Sequence, residues 1–234
     1  MFCKNYSFRY SDIDYKEQVK ISTVIDMLQD ISIIHSAEVG YPRDRLVSMS
    51  VAWLLLGWRI KFLAPLDKNK SVAVRTGIMS IKKYEASRKY EIIQDGECKI
   101  IATAVWFTVN IDKMRVMRAP EEIYAAYDCI NEEDNGIEFI KLRGRDELDE
   151  VAELKVEQRD IDTNNHMNNV RSVEVALDYL PKNTKISELQ VTYRKSLYAC
   201  EDIKICMQKN HGEYFVEIVN SNGEPSVMIN AIQA

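Results

Sequence analysis

The chain has 234 residues, 46% of them hydrophobic and 29% charged, a balance that can bury a core and excludes a disordered polypeptide. Its formal net charge of −5 argues against a general nucleic-acid binder, and no apolar run is long enough to span a bilayer, so no membrane segment is expected. Five scattered cysteines, Cys3, Cys98, Cys129, Cys200 and Cys206, form neither a close metal-type pair nor a disulfide framework and are expected as reduced, mostly buried thiols.

At the N-terminus there is no charged region followed by an apolar one, since Phe8-Arg9-Tyr10 already reads as folded sequence. That favours a cytoplasmic protein. Next, Ile21, Val24, Ile25, Leu28 and Ile31 recur at helical spacing and predict one amphipathic helix, which Gly40 and Pro42 end. Strand signals follow over 52–63, 72–84, 88–94 and 99–111, with Asp95-Gly96 as a tight turn before the last. The span 114–150 is irregular and acidic, with Glu132-Glu133-Asp134 and Asp146-Glu147-Leu148-Asp149-Glu150. It reads as a solvated linker, in which Pro120 opens a short helix.

A second copy of the same order then begins. Arg159-Asp160-Ile161-Asp162 resembles Ser11-Asp12-Ile13-Asp14 near the start. Val170, Val173, Leu177 and Leu180 repeat the helical stripe, with Asn168 or Asn169 as its cap and Pro181 as its stop. Strand signals return over 186–197, 203–209, 214–220 and 227–232, with turns at Gly212 and Asn222-Gly223. Two copies of strand, helix and four strands predict an α+β protein with two antiparallel sheets, each wrapped around a long helix.

Chemistry concentrates between Asp160 and Asn169. Asp162, Asn164 and His166 alternate along a stretch read as extended, which would bring their side chains to one face. A carboxylate can orient an imidazole, an amide can fix a water or a carbonyl, and histidine titrates near neutrality. The helix start at Asn168 and Asn169 adds backbone N–H groups for a developing oxyanion. The same residue types also build an Asn/Asp-rich turn leading into a helix cap, and at this level both readings stand. Ungapped alignment of the copies sets Lys16 and Gln18 against Asn164 and His166, so one copy carries a chemical set that its duplicate lacks. His35 continues the first helical stripe and reads as a packed histidine, and His211 belongs to a turn.

The string Asp162-x-Asn164-x-His166-x-Asn168-Asn169 resembles the acyl-ACP thioesterase family, the plant and bacterial double-hotdog enzymes. The resemblance extends to Phe8-Arg9-Tyr10-Ser11-Asp12, Leu28-Gln29-Asp30, Leu54-Leu55-Leu56-Gly57-Trp58-Arg59, Ala104-Val105-Trp106 and Val191-Thr192-Tyr193-Arg194-Lys195. It departs at Ser196 and Leu197, where plant members carry a glutamate and then a cysteine, so Ser196 is at most a polar helper. The resemblance implies a tandem double hotdog: residues 1–113 holding the acyl chain, 114–150 as linker and 151–234 as the catalytic half.

It further implies hydrolysis of the thioester between a fatty acyl chain and the phosphopantetheine arm of acyl carrier protein, with no cofactor and no metal. Asn164 would hold the carbonyl or the water, and His166 would act as base and then acid. Asp162 would orient His166 or attack the carbonyl itself. Ile25, Val51, Trp53 and Leu55 are the implied lining of the acyl chain. Carrier proteins are acidic, so Arg171, Arg194 and Lys195 are candidate contacts, with Lys82, Lys83, Arg88 and Lys89 as further ones. A hotdog hydrolase preferring acyl-CoA and a non-catalytic acyl-binding module are the alternatives, and the chain would act as a monomeric pseudodimer or a homodimer.

Overall fold

A computed structural model describes residues 1–127, 129 and 137–234. The acidic run Glu132-Glu133-Asp134 lies outside the described residues. The elements in chain order are β1 (Phe2–Tyr6), α1 (Ile21–Glu38), α2 (Arg43–Ser48), β2 (Val51–Phe62), β3 (Val72–Lys82), β4 (Glu85–Gln94), β5 (Glu97–Asn110), β6 (Arg115–Val116) and α3 (Glu121–Ala126), then β7 (Asp149–Lys155), α4 (Asn169–Leu177), β8 (Ile186–Tyr193), β9 (Asp202–Asn210), β10 (Glu213–Val219) and β11 (Pro225–Gln233). They divide into two compact units, residues 1–56 with 62–139 and residues 57–61 with 140–234.

In the first unit the strand order is β1-β3-β4-β5-β2, with β6 on β5, and the pairings of β1 with β3, β3 with β4 and β4 with β5 are antiparallel. The tight turn between β4 and β5 puts Asp95 at φ 53° and Gly96 at φ 81°, the left-handed pair that a two-residue hairpin needs. Helix α1 follows the predicted stripe: Val24, Ile25, Leu28 and Ile31 are buried, and it ends just before Gly40, whose φ is +89°. Tyr41, Leu46, Val51, Ile78, Ala86, Ile123 and Tyr127 form a further apolar cluster, with Trp53 packed against it. The span read as a linker therefore includes folded parts, since α3 contributes fully buried Ile123 and β6 pairs with β5.

The second unit orders residues 57–61 of β2 beside β8, then β11, β10, β9 and β7. Its helix is short. α4 spans nine residues, buries Val170, Val173 and Ala176, and gives way after Leu177 to turns in which Tyr179 N–H donates to Ala176 and Leu180 N–H to Leu177. The expected long second helix is thus corrected to a short one, its last turn tightened by i→i+3 bonds. β8 stops at Tyr193 rather than Leu197, because the N–H groups of Arg194 and Lys195 both turn to the carbonyl of Ser226. β7 begins inside the acidic run at Asp149.

The cysteines are all free, but the expectation that they are mostly buried is wrong: Cys3, Cys98, Cys129 and Cys200 are exposed and Cys206 is half-buried. No helix among the described residues is long and apolar enough to cross a membrane.

Candidate active site

The residues from Ile161 to Met167 do not form an extended stretch; they close a small loop. Ile161 and Met167 form an isolated antiparallel bridge, and the N–H of Asp162 donates to the carbonyl of His166 at 2.8 Å. Asn165 makes the reversal with a left-handed φ of 62°, a conformation that asparagine tolerates better than most residues. Asp162 and His166 therefore face each other across the loop, and side chains directly opposed in this way leave on one face. The extended alternation expected to give Asp162, Asn164 and His166 one face is therefore not the geometry found, since the chain reverses at Asn165.

Asp162 also braces the loop. Its Oδ1 accepts the backbone N–H of Asn164 at 2.7 Å and lies 3.5 Å from that of His166, the Asx-type geometry that Asp favours in turns. Asn164 is exposed, while His166 is half-buried with its ring edge-on to Tyr198, the centroids 5.1 Å apart. The turn reading and the chemical reading describe the same residues: the brace presents a carboxylate, an amide and an imidazole from one short loop.

The loop then enters α4. Asn168 caps that helix, its side chain accepting the N–H of Val170 at 2.8 Å and of Arg171 at 3.3 Å. The backbone N–H of Asn168 itself donates to the carbonyl of Asp160 at 2.8 Å, so of the two proposed oxyanion donors it is already engaged. Asn169 opens the helix, and its carbonyl accepts the hydroxyl of Tyr193 at 3.1 Å.

Arg171 is turned inward. Its Nε donates at 2.9 Å to Asp160, which is 6% exposed, and its Nη1 reaches Glu174. The bond to Asp160 is the first reason that the Arg171 pKa is raised. Arg194 and Lys195 are exposed just beyond β8, with Lys195 at 3.5 Å from Glu224. Ser196 is exposed beside them, and buried Leu197 accepts the N–H of Met167 at 2.8 Å through its carbonyl.

Sequence reasoning missed Asp160, Tyr193, Leu197 and Tyr198 as supports of this site. Asp160 had a signal in its match to Asp12. The others act across sequence separations that no local pattern reports.

The first unit repeats the loop bond for bond. Ile13 and Val19 form the bridge, Asp14 N–H donates to Gln18, and Glu17 takes φ 63°. Asp14 Oδ1 accepts the N–H groups of Lys16 at 2.9 Å and Gln18 at 2.8 Å. The ungapped alignment is therefore the structural one, with Lys16 and Gln18 in the places of Asn164 and His166.

Elsewhere in that unit Ile25 and Val51 are fully buried, Leu55 is 4% exposed, and Trp53 is half-buried edge-on to Tyr127. Of the further basic candidates, Lys82 and Lys83 are exposed, but Arg88 and Lys89 are corrected: both are buried. Among the described residues no cluster of three or more His, Cys, Asp or Glu is placed to hold a metal ion.

The family model described as acyl-ACP thioesterase N-terminal domain matches residues 1–127, and the acyl-ACP thioesterase C-terminal domain matches residues 144–232. The chain is 22% identical over 204 residues to the chloroplastic acyl-[acyl-carrier-protein] hydrolase FATB3 of Cuphea viscosissima, covering 81% of this chain and 48% of that protein. It is 21% identical over 208 residues to the chloroplastic oleoyl-acyl carrier protein thioesterase 1 of Arabidopsis thaliana, covering 80% and 57%. The chain thus spans about half the length of the curated relatives it matches.

Among solved structures, an acyl-ACP thioesterase from Bacteroides thetaiotaomicron superposes with a TM-score of 0.89 at 19% identity, covering 100% of this chain and 97% of that one. The 12:0-ACP thioesterase from Umbellularia californica gives 0.86 at 16%, covering 100% and 96%. At such identities the likeness shows the fold, an α+β double-hotdog arrangement.

Proposed function

The chain belongs to the acyl-ACP thioesterase family, and from that premise we propose that it hydrolyses the thioester of fatty acyl-acyl carrier protein, releasing free fatty acid and holo-carrier protein. One observation carries the reading: the second unit's loop holds Asp162, Asn164 and His166 on a main-chain brace whose duplicate in the first unit bears Lys16 and Gln18.

In this mechanism Asn164 fixes the attacking water or the thioester carbonyl. His166 takes a proton from the water as its oxygen bonds to the carbonyl carbon. The carbonyl oxygen gains the negative charge, facing the start of α4 at Asn169, because the N–H of Asn168 is already given to Asp160. Collapse breaks the carbon–sulfur bond, and the imidazolium returns its proton to the departing phosphopantetheine thiolate. Asp162 orients and stabilises the imidazolium from across the loop, or attacks the carbonyl first to form an anhydride that water then opens. Single-turnover hydrolysis in ¹⁸O water tests the second route: label in the Asp162 carboxylate, left when water opens the anhydride at the aspartyl carbonyl, excludes a purely orienting role.

The division of labour follows. The N-terminal half, residues 1–113, holds the acyl chain among Ile25, Val51, Trp53 and Leu55, and the C-terminal half, residues 151–234, does the chemistry. Arg194 and Lys195 offer exposed positive charge to an acidic carrier protein, whereas Arg171 serves as an internal brace and Ser196 as a solvent-facing polar neighbour. A cytoplasmic setting belongs to the same reading, supported by five free thiols.

The test is hydrolysis of carrier-protein thioesters of graded chain length, read as free thiol on holo-carrier, beside matched acyl-CoA thioesters. Faster turnover of the carrier-protein series is expected. Preference for the CoA series makes the chain an acyl-CoA hydrolase, and turnover of neither leaves an acyl-binding module.

A further inference from the structure

Strand β4 turns Arg88 and Tyr90 toward α1, where they meet residues one helical turn apart. Tyr90 Oη lies 2.7 Å from Ser32 Oγ, and Arg88 Nη1 lies 2.9 Å from His35 Nδ1. A guanidinium therefore occupies an interior position: Arg88 is 4% exposed, between Ala86 and Tyr90 at 0%.

The groups around that cation are neutral. Nη1 also donates to Thr76 Oγ1 at 3.3 Å, and the guanidinium carbon lies 5.6 Å from the ring centroid of Tyr127. His35 is stacked on Phe2 at 5.1 Å and edge-on to Tyr127 at 5.5 Å. Burial first, and Arg88 second, push its pKa down to about 4, which keeps the ring uncharged at neutral pH. Among the described residues no carboxylate pairs with Arg88. An interior cation without an anion is costly, and neutral contacts return only part of that cost.

Geometry shows where an anion would go. The bonds to His35 and Thr76 both leave from Nη1 and Tyr127 takes a further one from the guanidinium, which of five N–H donors leaves two for the fork of a carboxylate. The residue opposite Arg88 on β5 is Ala104, followed inward by Ala102 opposite Tyr90, and neither brings bulk onto the guanidinium. Trp53, a proposed acyl-lining residue, is edge-on to the same Tyr127 at 6.3 Å.

We propose that Arg88, flanked by His35 and Tyr127, is a carboxylate-binding site in the first unit. Its ligand is either the far-end carboxylate of an acyl chain or the carboxylate of a free fatty acid. The site stands on the contacts above; only the far-end source rests on the acyl-holding role proposed for this unit.

Calorimetric titration of the full chain with sodium octanoate and with 1-octanol tests the proposal. Octanoate is expected to bind roughly tenfold or more tightly than octanol, the scale of a charge-assisted hydrogen bond. Arg88→Met should erase that preference while octanol still binds. Equal affinity for the two probes in the unsubstituted chain overturns the proposal without recourse to any variant, and so does a preference that survives in folded Arg88→Met.

Carrier-protein thioesters of one length ending in methyl or in carboxylate separate the sources. Faster hydrolysis of the carboxylate-ended chain assigns the far end, and equal or slower hydrolysis assigns the free acid. If neither thioester is hydrolysed, the hydrolase reading fails while the octanoate titration still decides the site.

Discussion

The backbone N–H of Met167 donates to the carbonyl of Leu197 across 2.8 Å. That one bond ties the loop of Asp162 and His166 to the segment leaving β8, and it brings Tyr198 edge-on to the imidazole at 5.1 Å. A strand end thus supports a loop that precedes it by about 30 residues, and the proposed chemistry depends on that support holding.

Replacing His166 by alanine should lower kcat by about 10²- to 10⁴-fold, the range for losing a general acid–base. The ring is half-buried and lies on a loop, so the thermal midpoint should move little. Holo-carrier thiol release and a melting curve check both halves of the statement. Full turnover in a folded His166→Ala protein would remove the imidazole from the mechanism.

Asp162 has two duties that two substitutions separate. Asn keeps an oxygen for the N–H groups of Asn164 and His166, whereas Ala leaves both without it. Asp162→Ala should therefore lose about 1 kcal/mol of stability and Asp162→Asn less, measured by urea unfolding. Turnover should fall in both. An active Asp162→Asn enzyme would leave the carboxylate as a brace alone.

Arg171 and the pair Arg194 and Lys195 should respond differently to substitution. Arg171→Met breaks a partly buried bond to Asp160 and should cost about 1–3 kcal/mol of stability with KM for acyl-carrier protein unchanged. Arg194→Glu with Lys195→Glu should leave stability alone and raise KM, most strongly at low salt. The opposite pattern would return Arg171 to the carrier contact.

The cap of α4 predicts a graded series. Asn168→Ala should destabilise by about 1 kcal/mol and Asn168→Asp by much less, since aspartate caps as well as asparagine does. Chemical denaturation midpoints report the order directly.

His35 makes stability pH-dependent. Its pKa falls from 6.5 in the unfolded chain to about 4 in the fold, so between those values the unfolded state binds more protons. Stability from this group is present above pH 6.5 and is lost as pH drops toward 4. His35→Gln should reduce the slope of unfolding free energy against pH over that window, measured by urea melts between pH 7.5 and 4.5.

Most of the fold was legible because its strands are runs of β-forming residues and its hairpins carry Asp95, Gly96, Gly212 and Gly223 where left-handed residues are required. The edge strand Asp149–Lys155 was not, because its charged, largely exposed residues read as a solvated acidic run. Of the site, the composition of the loop from Asp162 to His166 was visible, but not its closed shape, which depends on the Ile161–Met167 bridge. Arg88 was read as a surface cation because a β-strand shows its inward face only through what packs on it, here Ser32 and His35 of α1. Arg171 looked available for the same reason: its partner Asp160 lies eleven residues back.

The loop at Asp14 keeps the bonds that brace its counterpart from within, while bearing lysine and glutamine where that one bears asparagine and histidine. Shape and reactivity are thus written in separate residues: an aspartate and a left-handed turn cast the mould, and two positions on its rim decide what is set in it. On the proposed mechanism, moving the chemistry to the first unit would begin with the side chains at 16 and 18, on a loop already shaped to carry them.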